Sequence, residues 1–183
     1  MLRTITIYGV IAGLVVAIPM CLMVVWNPLG HGTASMLVGY ALMLIALSFV
    51  FVGVKRYRDG VLGGVIKFLP ALLIGLGIST VAGIFYCLGW EITLALTNYD
   101  FIESYPRSVI EQAQQSGASA QELAELRTQM ADFQANYPNP LYRIPMTFFV
   151  EIFPVGVIVS LITAVLLRNH RFFPARTAPA PAA

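Results

Sequence analysis

The sequence predicts an all-α, integral membrane four-helix bundle, with a small helical hairpin outside the membrane between helices three and four. Three observations carry that expectation. Hydrophobic residues make up 58% of the 183 residues and charged ones only 11%, against about 25% charged in a soluble domain. No charged residue occurs between Thr4 and Val54. The apolar residues gather in four runs, 5–26, 35–54, 68–90 and 145–167. Each is roughly 30–35 Å long at about 1.5 Å per residue, enough to cross a hydrocarbon core of ~30 Å. The expected organisation is one membrane domain over 1–173, with an outer helical insert over about 91–143 and a tail over 174–183.

The first run follows Arg3, as the core of a signal peptide would. Its length of about 22 residues exceeds the roughly 7–15 of such a core, and Pro19 interrupts it, so it is expected to remain as an anchor. Gly9 and Gly13 stand four apart, a spacing that lets helix backbones approach closely. The breaker-rich stretch from Asn27 to Thr33 predicts a tight turn into the second run, with His31 as a solvated loop residue. The second run ends in Lys55, Arg56 and Arg58, expected as cytoplasmic anchors at the lipid headgroups. Gly63-Gly64 then permits a sharp bend, and Pro70 falls in the first turn of helix three, where a missing N–H costs little. On the third run, Ser79 and Gly83 repeat the small-residue spacing. Cys21 and Cys87 lie at similar depth and read as unpaired, buried thiols, the alternative being a disulfide between helices one and three. No CxxC or Cys/His spacing points to a metal, and no cofactor is expected.

Beyond Trp90, the residues Tyr99, Phe101, Ile102 and Tyr105 read as an interfacial aromatic belt or a helix extension. Pro106 is placed to start a helix that ends near Gly117. Ser119-Ala-Gln-Glu122 is a capping box, in which the hydroxyl accepts an orphan N–H and the carboxylate reaches back. The helix it opens runs to about Asn136, with Leu123, Leu126, Met130 and Phe133 on one stripe that is expected to bury within the protein. Tyr137-Pro-Asn-Pro140 ends it. After the fourth run, Arg168 and Arg171 anchor the inner interface, and the Pro/Ala tail is expected to be disordered.

Charge sets the expected orientation. Arg3, Lys55, Arg56, Arg58, Lys67, Arg168, Arg171 and Arg176 share one side with a single acid, Asp59. Arg107, Arg127 and Arg143 share the other with Glu91, Asp100, Glu103, Glu111, Glu122, Glu125 and Asp132. By the positive-inside rule both termini are cytoplasmic and 91–143 is periplasmic.

Glu151 is the single Asp, Glu, Lys or Arg well inside an apolar run, about 9 Å from the outer end of helix four at 1.5 Å per residue. An ionisable group there is costly unless it is protonated or partnered. Tyr40, Thr80 and Tyr86 lie at similar depth as candidate partners. Pro154 removes the N–H that would bond the Val150 carbonyl, so a kink or a wet spot is expected beside the carboxyl. The sequence lacks a nucleophile elbow, HExxH, P-loop, dinucleotide fingerprint and paired acidic motif. This favours a non-enzymatic role and gives no sign of nucleic-acid binding.

The stretches Gly53-Val-Lys-Arg-Tyr-Arg-Asp59, Gly63-Gly64-Val-Ile-Lys-Phe68, Asp100-Phe101 and Glu151-Ile-Phe-Pro-Val-Gly156 occur in an order that resembles a known pattern. From the first helix to about Arg171, the chain resembles a bacterial family of four-helix membrane proteins catalogued as a domain of unknown function, family four-one-nine-nine. The resemblance implies bacterial origin, four spans and an extramembrane segment before the last, and it supplies no catalytic residues. The resulting expectation is a multi-pass inner-membrane accessory, assembly or interaction protein. Its surroundings would be the lipid bilayer and either a membrane protein partner or a second copy. The alternative is a small oligomeric transporter or channel subunit with Glu151 as its protonatable group.

Overall fold

The computed structural model describes residues 1–26 and 33–174. The expected first turn with His31, and the tail beyond Pro174, lie outside the described residues. The elements are α1 (Leu2–Trp26), α2 (Thr33–Val61), α3 (Phe68–Leu96), α4 (Phe101–Gln115), α5 (Ala120–Asn136), α6 (Pro140–Met146) and α7 (Phe153–Leu167). A π-helical stretch, Thr147–Ile152, joins α6 to α7 into one continuous rod. Among the described residues every regular element is helical. Four helices are long and apolar enough to cross a membrane: Leu2–Trp26, Leu37–Val61, Phe68–Leu96 and Pro140–Leu167.

Small residues set the packing. A Cβ on Gly9 would fall 2.5 Å from Val81, and one on Gly13 would collide with Phe85, so α1 lies directly against α3. Ala17 meets Gly89 one step further along, which makes α1 and α3 parallel. On the opposite face of α3, Gly75 meets Ser160, Ser79 meets Gly156, and Gly83 meets Phe148. Those pairs run in opposite senses, so α7 is antiparallel to α3. Gly53 of α2 abuts Tyr8 of α1, again antiparallel. All four residues read as packing positions are used within one chain, where the close approach gains dispersion contacts that lipid would not supply.

Several boundaries differ from those expected. Helix α2 continues through the basic residues to Val61 instead of ending near residue 54. A good helix former such as Lys or Arg has no reason to stop a helix. The actual stop is a glycine turn: the Gly64 amide bonds the Arg58 carbonyl at 2.9 Å, with Gly63 at φ +66° and Gly64 at φ +94°. Helix α3 extends to Leu96 and the last rod starts at Pro140, so the segment between them is shorter than 91–143. Pro106 does not start α4 but sits buried inside it, since Asn98 and Tyr99, both with positive φ, have already turned the chain. Cys21 and Cys87 are unpaired.

The interior falls into two zones. Near the α4–α5 end, Val16, Met20, Met43, Tyr86, Trp90 and Ile152 form one buried cluster. Towards the other end, Leu47, Val50, Val54, Ile74, Ile78 and Leu167 form a second, each 0% exposed. There Arg58 is also fully buried. Its guanidinium donates to the carbonyl of Leu167 at the end of α7, to those of Phe172 and Phe173 in the segment that follows, and to Asp59 at 2.6 Å. Arg58 therefore leaves the expected set of headgroup anchors and instead caps a helix whose last carbonyls lack intrahelical donors. Lys55 is engaged by Asp59 at 2.5 Å, while Arg56, Arg168 and Arg171 remain exposed at that end.

Candidate functional site

Glu151 stands on the π stretch, half-buried, and Ile152 beside it is 1% exposed. The expected disturbance ahead of Pro154 takes the form of this wider turn: the Phe153 amide bonds the Phe148 carbonyl five residues back. Proline then sits in the first turn of α7, where it needs no donor. Of the three candidate partners, Tyr86 is the one bonded, its hydroxyl donating to Glu151 Oε2 at 3.0 Å. Tyr40 is exposed and lines the same cavity as Glu151 without a bond to it. Thr80 neither bonds the carboxyl nor lines that cavity, because its position on α3 is one step round from Ser79, which points at α7.

The cavity measures about 430 Å³ and lies between the ends of α1, α2 and α3 and the α4–α5 hairpin. Its walls are methionines, such as Met23 and Met130, and aromatic rings; Glu151 is its one carboxylate among the described residues. The rings form a continuous stack. Trp90 meets Phe101 edge-on at 4.8 Å, Phe101 stacks on Tyr105 at 4.9 Å, and Phe133 stacks on Tyr137 at 4.2 Å. Trp90 Nε1 donates to the Tyr137 hydroxyl at 2.7 Å. Burial pushes the Tyr137 phenol up to about 12, with that donated bond pulling the other way. Phe101, Ile102 and Tyr105, expected as an interfacial belt or a helix extension, thus lie half-buried on α4, while Tyr99 of that set stays 45% exposed. The stripe on α5 is partly buried, with Met130 and Phe133 on the cavity.

A buried ion pair fastens this roof. Arg143, 1% exposed, grips Glu91 through two bonds of 2.7 and 2.6 Å and also donates to the carbonyls of Tyr137 and Pro138. Its guanidinium lies 5.7 Å from the rings of both Tyr99 and Tyr137. Sequence reading missed the pair because the partners are 52 residues apart. The one signal available was their location, a charge just beyond each of two apolar runs at the same face of the bundle. At the outer tip the capping box forms as read, with Glu122 N to Ser119 Oγ at 3.3 Å and Ser119 N to Glu122 Oε2 at 2.7 Å. The backbone bond from Ser119 holds the Glu122 carboxyl below the usual carboxylate range.

The arrangement is that of an all-α protein with membrane-type helices and an apolar chamber bordered by a helical hairpin. Residues 7–169 match the family described as Protein of unknown function (DUF4199), and the chain belongs to that family. No curated protein and no solved structure matches it.

Proposed function

We propose that the protein is a non-enzymatic accessory protein of a bacterial inner membrane, crossing it four times with both termini cytoplasmic and the α4–α5 hairpin periplasmic. Eight bases against one acid at the Arg58 side, and three against seven at the hairpin side, support the orientation. The observation that carries the accessory role is the one-ended chamber. Its lining lies wholly at the hairpin end of the bundle, and beyond Glu151 the residues Leu47, Val50, Val54, Ile74 and Ile78 are each fully buried, which leaves no room for it to continue. A conduit needs a second opening, and an enzyme needs several convergent polar groups; neither pattern is favoured by this lining. The exposed faces of α4 and α5 are then the surface offered to a membrane partner.

A transporter subunit is the second reading, supported by Glu151 itself, a carboxyl on a π turn beside a cavity. The two are separated by purifying the tagged protein from native membranes and reconstituting it alone. The accessory role predicts co-purification with one membrane complex at fixed stoichiometry, weakened by reversing Arg127 on α5, and silent liposomes. A protein that purifies alone and carries protons or solute across liposomes, with the flux lost in Glu151→Gln, would instead establish transport.

A further inference from the structure

We propose that the chamber beside Glu151 binds a lipophilic organic cation, a molecule with one delocalised or shielded positive charge on an apolar body. This assignment goes beyond the accessory role and holds whether or not a protein partner docks on the hairpin. One Glu151 oxygen accepts from Tyr86, and the other has no hydrogen-bond partner among the described residues. No Lys, Arg or His lines the cavity among those residues, and the nearest buried base, Arg143, is committed to Glu91. Among the described residues the carboxyl thus has no counter-charge, in surroundings where a charge pair is weakly screened.

The walls narrow the chemistry further. The rings of Tyr40, Trp90, Phe101, Tyr105, Phe133 and Tyr137 all border the space, and ring faces attract cations, quaternary ammonium groups above all. Methionine thioethers such as those of Met23 and Met130 adapt to an irregular apolar body. An anion would meet the carboxylate, and a small inorganic cation would need about six oxygen ligands where this lining offers few. A volume of about 430 Å³ suits a small organic molecule.

The test uses the full-length protein in lipid nanodiscs, with tetraphenylphosphonium as probe and Trp90 fluorescence as readout. Trp26, which is 76% exposed, is replaced by Phe so that it adds no signal. The proposal predicts saturable 1:1 quenching that weakens at least about 10-fold in Glu151→Gln, the loss of ~1.4 kcal/mol of ion pairing. It also predicts loss of binding in Gly39→Leu. Gly39 borders the chamber and a Cβ there meets nothing within 4 Å, so a leucine is added without a clash and takes up space beside the chamber. Neutral triphenylphosphine oxide should bind the parent at least about 10-fold more weakly than the cation. Absence of saturable quenching, equal affinity for the neutral analogue, or undiminished binding in a folded Glu151→Gln would each overturn the proposal. Should Glu151→Gln misfold, the neutral analogue and Gly39→Leu still decide the matter.

Discussion

At the scale of single residues, two polar groups do most to organise the apolar interior. Glu151 accepts from the Tyr86 hydroxyl at 3.0 Å, and the consequence differs between two substitutions. Glu151→Gln keeps an acceptor for the phenol, so thermal stability should stay within about 0.5 kcal/mol of the parent. Glu151→Ala leaves the hydroxyl of Tyr86, a residue 6% exposed, without its acceptor and should cost about 1–3 kcal/mol. Detergent-solubilised melting of the two variants side by side checks the difference. Arg143→Ala should be more damaging. It strands Glu91 and two backbone carbonyls, and a cost of about 2–4 kcal/mol is expected, below the full buried-pair figure because Glu91 is 27% exposed. Limited proteolysis should then cut first between α4 and α5, where the roof is released. Resistance equal to the parent would mean the pair is not what holds the hairpin down. Glu151 was legible in the sequence because a lone carboxyl in an apolar run is conspicuous. Its partner was legible only as one of three candidates, since choosing among Tyr40, Thr80 and Tyr86 requires helix rotations that composition does not contain. Arg58 was misplaced for a related reason: a basic residue at a span's end is usually an anchor, and its burial follows only from where α7 ends.

At the scale of elements, local signals were the most faithful guides. The capping box at Ser119 and the bend at Gly63-Gly64 depend on residues within six positions of one another, and both form as expected, although the bend also proves to be where α2 stops. Two helix starts were read late: α4 begins at Phe101, ahead of Pro106, and the last rod at Pro140 under its Asn139 cap, ahead of residue 145. Ser119→Ala should destabilise α5 by about 1 kcal/mol while leaving membrane insertion intact, because the four apolar helices do not need that cap. A pH dependence follows from the same box. Glu122 has its carboxyl lowered from 4.5 by the bond from the Ser119 amide. Its contribution is therefore fully present above pH 4.5 and is lost as the pH falls through the lower folded value. Hydrogen exchange of α5 in the full-length protein at pH 6 and pH 3 should show protection falling more in the parent than in Glu122→Gln. Equal falls would assign the acid sensitivity to another group.

At the scale of the whole molecule, the four-helix plan was written in run length alone, whereas the chamber was not. Nothing in the spacing of Trp90, Phe101, Tyr105, Phe133 and Tyr137 says that rings from three helices close over one carboxyl. The proposed orientation is checked by single cysteines at Gly60 and Gln121, both exposed, in a background lacking Cys21 and Cys87. A membrane-impermeant thiol reagent added to intact spheroplasts should modify position 121 and spare position 60. The central claim, that the chamber has one open end, is tested most directly on α2. Met43 lines the chamber and Val50 lies seven residues along the same face in the packed zone, 0% exposed. In the same background, Met43→Cys should react with a small cationic methanethiosulfonate applied from the periplasmic side, while Val50→Cys should stay unmodified from either side. Comparable modification of Val50→Cys would reveal a water path through the bundle and contradict the account.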